Sequence, residues 1–166
     1  GTVAAGSMNS YAFYSNISTA SREIKNNIFQ NSRINTTGIG KHFITQLAST
    51  SGLSINANNY YSGSLFTARI GATNYTSLGL WQLATTQDSI SVSVNSNFKN
   101  ATGNAANVNL HIDTAGTAIS FLESGAIAIS GISNDYDGDA RPGPSGSVKG
   151  GGTRPDIGAD EFDGVP

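Results

Sequence analysis

The feature that most constrains the fold is a series of short runs in which apolar and polar residues alternate. Examples are EIKNNIFQNSRI from Glu23, LSINANNYY from Leu53, SISVSVNSNF from Ser89, NVNLHI from Asn107 and AIAISGI from Ala126. Alternation with a period of two over about 4–8 residues indicates β-strands, and clusters of Gly, Asn and Ser bound the runs as turns. The sequence therefore predicts an all-β chain.

One segment departs from this pattern and predicts a short helix. TSLGLWQLATTQ, residues 76–87, begins with Thr76 or Ser77 as a capping residue, and it places Leu80, Trp81 and Ala84 on one face. We expect Trp81 to pack against the β-structure as a plug, because a large apolar ring in a two-turn helix gains most by burial.

Composition separates an ordered β protein from a disordered chain and excludes several functions. Apolar residues make up 37% and charged residues 12% of the 166, and Asn, Ser, Thr and Gly supply nearly half. The recurrent Ile, Val and aromatic residues favour order. A net charge of −2 without a basic patch gives no attraction to nucleic acid, and there is no apolar run long enough for membrane insertion. The absence of cysteine excludes disulfides and thiol chemistry.

Two architectures fit many short strands, namely a β-sandwich and a parallel β-helix. Asn-Gly and Asp-Gly, which mark tight hairpins, are nearly absent between the strands. Asparagines beside an inward-facing Ile suit the bends of a β-helix, where they can stack in ladders. We therefore expect β-helix coils over residues 1–133, with a loop and short-helix insertion at about 60–88, and an acidic Gly/Pro-rich capping segment over residues 134–166.

Several motifs occur in an order that resembles a known family. IKNNIFQNSR, LSINANNYYSG, LGLWQLATTQDSISVSVNSNF, NLHI, DYDGDARP and RPDIGADEF follow one another across about residues 22–163. This series resembles the C-terminal coils of bacterial right-handed parallel β-helix proteins of the pectate-lyase-like type, many of them large secreted surface proteins of Bacteroidetes-type bacteria. The resemblance implies a right-handed solenoid in an extracellular or cell-surface location.

The start of the chain predicts a partner. Because Gly1 is not a Met, we expect a fragment of a longer protein whose first coil stacks on preceding chain or on another copy.

The aspartates of the C-terminal segment raise the question of a metal site. Asp135, Asp137 and Asp139 lie at i, i+2 and i+4, the spacing at which carboxylates begin a calcium loop. An EF-hand needs Gly at position 6 and Glu at position 12, where this chain has Ala140 and Gly146. A calcium site of another type therefore stays open, and we expect no other cofactor.

The alternative is a turn whose carboxylates accept hydrogen bonds from backbone N–H groups and from the arginines of a structural cap. We expect that cap to use Arg141, Arg154, Asp156, Ile157 and Asp160. It predicts burial of Ile157 and Phe162, with the carboxylates at the rim.

The sequence offers no catalytic set, so we predict no catalytic residue. The acids outside the tail are isolated, no GxSxG motif occurs, and His42 and His111 lie far apart in the chain. His111 alternates with Leu110 and Ile112 and is expected to face outward.

Surface chemistry is predicted at four other positions. Tyr60 and Tyr61 follow a strand and are candidates for stacking on a sugar. Ser89 and Thr114 follow aspartate, and the family resemblance implies O-glycosylation there.

Together these features predict a non-catalytic structural or adhesive β-helix module of a secreted or cell-surface bacterial protein that contacts glycans. The alternative is the C-terminal part of a polysaccharide lyase or glycoside hydrolase whose catalytic coils lie upstream. Either way the expected partners are polysaccharide and the rest of the protein, without nucleic acid or membrane insertion.

Overall fold

The computed structural model describes residues 2–62, 67–116, 120–149 and 153–166. The elements are β1 (Thr2–Ala5), β2 (Ser10–Ser15), β3 (Arg22–Lys25), β4 (Ile28–Gln30), β5 (Ile34–Thr37), β6 (His42–Leu47), β7 (Leu53–Asn56), β8 (Asn59–Tyr61), β9 (Ala68–Ile70), β10 (Thr73–Tyr75), α1 (Leu78–Thr85), β11 (Phe98–Asn100) and β12 (Asn109–Ile112). Within this described part, no helix has the length and apolar character needed to cross a membrane.

The chain divides into two compact units, which we call unit 1 (Gly1–Val94) and unit 2 (Asn95–Pro166). This division falls earlier in the chain than the boundary expected at residues 133 and 134. The acidic segment that was expected to form a separate cap thus folds together with residues 95–133.

Parallel pairing of strands far apart in sequence organises most of unit 1. β1 pairs with β5, β2 with β6, β3 with β7 and β4 with β8, all parallel. Ser10 lies opposite His42 and Arg22 opposite Leu53, so partners are 32 and 31 residues apart. Such pairing requires a crossover of at least a dozen residues between partners, which these separations supply.

Asparagines shape the bends between these strands, as the sequence predicts. Asn26 has a left-handed backbone (φ 60), a conformation that Asn adopts more readily than most residues. Next to it, Nδ2 of Asn27 donates to Oδ1 of Asn58 at 3.0 Å, and Nδ2 of Asn58 donates to the carbonyl of Ile24 at 2.9 Å. The expected asparagine contacts between neighbouring strand passes are therefore confirmed.

The core of unit 1 is apolar and aromatic, and α1 closes it. The buried cluster comprises Ile24, Ile44, Leu47, Leu53, Ile55, Tyr60, Ala68 and Trp81. The predicted helix is confirmed, because Ser77 is its N-cap and its hydroxyl accepts from the N–H of Leu80 at 3.2 Å. Trp81 is fully buried, as expected for a plug.

The predicted right-handed parallel β-helix is wrong. After β6 the separation of paired residues falls, because Thr45 lies opposite Ala68, and β10 then turns back antiparallel to β9. Asn59 and Val92 share only an isolated bridge. In the described residues, the strands form one mixed four-stranded sheet and four two-stranded sheets, without a solenoid or closed β-helix.

The described part of unit 2 has few strands, and the predicted run AIAISGI does not form one there. β11 and β12 pair antiparallel, whereas residues 126–132 are turns and irregular backbone. In SISVSVNSNF, at the junction of the units, only the end belongs to a strand. In this run Ser91 is buried, because its hydroxyl donates a hydrogen bond to Asp88. Ile90, which alternation predicts to face inward, is exposed instead.

Candidate metal centre

Three segments of unit 2 bring a histidine and two aspartates together. His111 comes from β12, Asp137 from the acidic turn that follows Asn134, and Asp160 from the last stretch of the chain. One ligand atom of each lies within 4.8 Å of the others. Among the described residues this is the one group of three or more His, Cys, Asp or Glu side chains placed closely enough to hold a metal ion.

Asn109 fixes the orientation of the His111 ring. The backbone N–H of His111 donates to Oδ1 of Asn109 at 3.1 Å, and Nδ1 of the ring lies 2.7 Å from the same oxygen. The other ring nitrogen, Nε2, lies 2.8 Å from Oδ2 of Asp137. His111 is exposed, as the sequence predicts, and its Nε2 points at the carboxylates.

Asp135 builds the acidic turn and is not part of this group. Its Oδ1 accepts from the N–H groups of Asp137 (2.9 Å) and Asp139 (2.8 Å), and its Oδ2 accepts from the N–H of Glu161 (2.8 Å). Burial acts to raise the pKa of Asp135, but these backbone donors outweigh it and lower the pKa below the ordinary value. The turn interpretation is thus confirmed for Asp135.

The predicted calcium triad does not assemble. Of Asp135, Asp137 and Asp139, the structure places only Asp137 in the group that can hold an ion. The physical reason is that both carboxylate oxygens of Asp135 accept hydrogen bonds from backbone N–H groups. The carboxylate of Asp137 lies near His111 and Asp160 instead.

Asp160 lies half-buried beside the other two ligands. Burial raises the pKa of its carboxyl group, the nearby His111 lowers it, and the charges of Asp135 and Asp137 raise it. Sequence reasoning placed Asp160 in the structural cap, so its position in this group is new.

Unit 2 also buries an aspartate in the last described stretch of the chain, residues 153–166, which we call the closing segment. Asp156 is fully buried, and its Oδ1 and Oδ2 accept from the N–H groups of Ser124 (2.6 Å) and Phe162 (2.8 Å). Burial raises the pKa of Asp156 to about 8. The two backbone donors act to lower this pKa, and the nearby charges of Glu123 and Glu161 act to raise it further. A carboxyl group expected at the rim therefore lies in the interior.

Two buried glutamates continue the same construction. The carboxylate of Glu161 forms an ion pair with Nε of Arg141 at 2.6 Å. It also accepts hydrogen bonds from the backbone N–H groups of Asp156 (2.9 Å) and Gly143 (2.9 Å). Glu123 accepts from the N–H of Gly164 at 2.8 Å, and burial raises its pKa. These carboxylates hold loops in place where strands are few.

The remaining cap residues behave partly as predicted. Ile157 and Phe162 are buried, which confirms that part of the cap. Arg141 binds a carboxylate, but Arg154 donates to the carbonyl of Ala126 at 3.0 and 2.7 Å rather than to an acid. The expectation that both arginines bind carboxylates is therefore wrong for Arg154.

Unit 1 buries a carboxylate of its own at Asp88, which sequence reasoning missed. Its Oδ2 accepts from Tyr60 Oη (2.8 Å) and Trp81 Nε1 (2.7 Å). Its Oδ1 accepts from the hydroxyl of Ser91 and from Nδ2 of Asn58 (3.4 Å). We call these five residues the Asp88 cluster. No local motif signals it, because Tyr60 and Asp88 are 28 residues apart.

The two tyrosines predicted to stack on a sugar, Tyr60 and Tyr61, differ in how far they are buried. Tyr60 is fully buried in the Asp88 cluster, and burial raises the pKa of its phenol well above the ordinary value. A sugar cannot reach its ring, so the stacking prediction is wrong for Tyr60. Tyr61, the next residue in β8, is half-buried. Of the predicted glycosylation positions, Ser89 is exposed and Thr114 is half-buried.

Comparisons with known proteins identified no relative of the chain. No protein family, curated protein or solved structure matched the chain. The resemblance to pectate-lyase-like proteins therefore stays a prediction.

Proposed function

We propose that the chain is a non-catalytic structural and adhesive module of a secreted or cell-surface protein, and that it contacts glycans. The observation that carries this proposal is the use made of the buried acids. The oxygens of Asp88 and Asp156 accept hydrogen bonds that hold loops and core side chains, and both residues are fully buried. Carboxylates engaged in this way serve the fold.

The raised pKa of Asp156 does not weaken the proposal. A perturbed carboxyl group in a cleft is a pointer to catalysis, because it can exchange a proton with a substrate. Asp156 is instead 0% exposed, and backbone N–H groups occupy both oxygens. Its burial thus gives a structural reason for the shift.

An aromatic surface on unit 1 supports the glycan contact. Tyr14 is 51% exposed on β2, and its ring centroid lies 5.1 Å from that of Tyr11. Tyr11 in turn stacks on Phe43, with 5.5 Å between centroids and 9° between ring planes. Rings supported in this way present a fixed apolar face to solvent, which suits the apolar face of a sugar ring.

Binding to a panel of polysaccharides and oligosaccharides tests the adhesive part. We expect Tyr14→Ala to lose binding while unfolding of the protein stays unchanged, and Tyr136→Ala, which removes another exposed tyrosine, to retain it. Tyr61→Ala examines the residue expected from the sequence. Equal binding by wild type, Tyr14→Ala and Tyr61→Ala would contradict a glycan contact at these rings.

The non-catalytic part has its own test. Purified protein is incubated with the same polysaccharides, and reducing ends and unsaturated products are measured over time. Product formed above the blank by freshly purified protein would overturn the proposal and favour the lyase or hydrolase interpretation.

Export is part of the same proposal and predicts modification. Ser89 is the better acceptor for O-glycosylation because it is exposed in a turn, whereas Thr114 is half-buried. Intact-mass measurement of protein exported by a Bacteroidetes-type host should show added hexose that Ser89→Ala reduces. An unmodified mass would contradict it.

A further inference from the structure

We propose that His111, Asp137 and Asp160 bind one divalent transition-metal ion of the Zn²⁺ type in unit 2. This site goes beyond the structural and adhesive function and does not depend on it. It also differs from the predicted calcium site, because one ligand is an imidazole and two of the three expected aspartates are absent from it.

The hydrogen bonds of His111 determine which ring nitrogen is available. A backbone N–H can only donate, so the donation from His111 N at 3.1 Å identifies the Asn109 atom as the amide oxygen. That oxygen is an acceptor, and Nδ1 at 2.7 Å must therefore carry a proton. In the neutral ring, Nε2 then has a lone pair directed at Oδ2 of Asp137, only 2.8 Å away.

Two acceptors at that distance repel each other unless a proton on Nε2 or a cation beside them removes the repulsion. A metal ion meets this need, and the arrangement is the one metal-binding histidines use: one ring nitrogen binds the ion and the other donates to an oxygen that fixes the ring. Asn109 lies outside the ligand set, so its contact is evidence separate from the closeness of the ligands.

The chemistry of the three ligands selects the class of ion. Two carboxylates and a neutral imidazole carry a charge of −2, which a divalent cation neutralises. Imidazole nitrogen with carboxylate oxygen suits Zn²⁺ and related ions, whereas Ca²⁺ takes oxygen ligands in larger number. Zn²⁺ holds such atoms at about 2.0 to 2.2 Å, which separates two of them by roughly 3.4 Å.

Small side-chain movements bring the ligands to that separation, and the ion can enter from solvent. The ligand atoms now lie within 4.8 Å of one another, and the side chains of His111 and Asp137 are 47% and 42% exposed. Three protein ligands leave the remaining coordination positions to water. The ion would link β12, the acidic turn and the last stretch of the chain, which are three separate parts of unit 2.

Titration calorimetry on the whole chain, first treated with EDTA, tests the site with Zn²⁺, Ca²⁺ and Mg²⁺ as separate probes. We expect one Zn²⁺ per chain and binding of Ca²⁺ and Mg²⁺ at least about 100-fold weaker. His111→Asn and Asp137→Asn should each weaken Zn²⁺ binding by about 100-fold or more, and Asn109→Ala by about 10-fold.

Matched controls remove the same kinds of side chain elsewhere. Asp139→Asn changes an exposed aspartate of the same turn, and His42→Asn removes the other histidine of the chain, in unit 1. Both should bind Zn²⁺ as the wild type does. Circular dichroism before each titration establishes that every variant is folded.

Nitrogen NMR of the two histidine rings gives a readout that a merely structural role would not move. On adding Zn²⁺, the Nε2 signal of His111 should shift to the range of a metal-bound nitrogen while Nδ1 keeps its proton, and His42 should stay unchanged. Co²⁺ should give visible absorption bands that His111→Asn abolishes.

Three results would overturn the site. The first is the absence of saturable Zn²⁺ binding by the wild type, which would leave His111 and Asp137 as an ion pair. The second is equal Zn²⁺ affinity for His111→Asn, Asp137→Asn and Asp139→Asn. The third is Ca²⁺ binding as tight as Zn²⁺ binding. None of these results bears on glycan binding, so the two proposals fail separately.

Discussion

Unit 1 and unit 2 both bury carboxylates, but they supply different hydrogen-bond donors to them. In unit 1, Asp88 is surrounded by side-chain donors, chiefly the Tyr60 phenol and the Trp81 indole. In unit 2, Asp156 accepts from two backbone N–H groups, those of Ser124 and Phe162. The first arrangement locks side chains of an existing core, and the second determines where the backbone runs.

The secondary structure explains this difference. Among the residues that the structure describes, unit 1 has ten of the twelve strands, so its backbone groups find partners in parallel ladders and a carboxylate is free to organise side chains. The described part of unit 2 has two short strands and long irregular segments, whose N–H groups need other acceptors. Side-chain oxygens of the buried acids Asp156, Glu161 and Glu123 accept from these N–H groups, as carbonyl groups of a neighbouring strand would in a sheet.

The largest effect should follow from removing the acid of unit 1. Asp88→Ala removes the carboxylate that accepts from the buried Tyr60 phenol, Trp81 indole and Ser91 hydroxyl, which we expect to cost about 4 kcal/mol of stability. Trp81 is the chain's single tryptophan, so its fluorescence during urea unfolding reports on unit 1.

Glu23→Ala is the control for that measurement. Glu23 is the exposed partner of Lys25 at 3.3 Å, and its loss should change stability by no more than about 0.5 kcal/mol. A similarly small change for Asp88→Ala would mean that the apolar core alone stabilises unit 1. The side-chain hydrogen bonds to Asp88 would then not contribute to stability as the backbone donors to Asp156 do in unit 2.

The next effect tests the backbone donors of unit 2. Asp156→Ala removes the acceptor of two buried N–H groups, and we expect it to cost about 3 kcal/mol. Amide hydrogen exchange at Ser124 and Phe162 should accelerate strongly, whereas Asp139→Asn, an exposed change in the same unit, should leave both amides protected. Unaltered protection in Asp156→Ala would show that neighbouring packing, not the carboxyl group, fixes the closing segment.

A pH change should affect unit 2 through Asp156. Folding raises its pKa from 3.8 to about 8, so the folded state binds the proton more tightly. Its contribution to stability is complete below pH 3.8 and is lost as the pH rises through 8. From pH 6 to pH 9 we expect a loss of about 3 kcal/mol. Glu123 and Asp160, whose pKa values are also raised, act in the same direction.

Hydrogen exchange of unit 2 at several pH values, corrected for the intrinsic exchange rate, measures this loss. Asp156→Ala should show a flatter profile over the same range, and parallel profiles would contradict the assignment to Asp156. At acid pH the sign reverses for Asp135, whose lowered pKa means that its contribution is lost as the pH falls.

The sequence predicts the local features of both units better than their clusters. Ser77 caps α1 and Asn27 meets Asn58 because capping and bend preferences act within a few residues or repeat along the strands. His111 meets Asp137 across 26 residues, and Glu123 meets Gly164 across 41. Alternation says which side chain faces outward, but contains no information on which distant loop covers it, so both contacts were missed.

The β-helix prediction failed for a related reason. Parallel pairing at a separation of 31 or 32 residues is what repeated passes of a β-helix would give, and the strands from β1 to β8 pair in this way. Whether a further pass continues depends on the residues that follow. There Ser91 turns toward Asp88, and the run that resembled another strand gives a single bridge at Val92.

The smallest effect isolates one donor of the Asp88 cluster. Tyr60→Phe removes a single hydroxyl and keeps the buried ring, so we expect a loss of about 1 kcal/mol. Tyr61→Phe, at the half-buried neighbour, should be nearly neutral. In an Asp88→Ala background the hydroxyl no longer donates to a carboxylate, and the additional cost of Tyr60→Phe should become smaller. Persistence of the full cost in the double variant would show that the Tyr60 hydroxyl stabilises unit 1 through a contact other than Asp88, and that side-chain donors to the carboxylate are not what distinguishes its buried acid from those of unit 2.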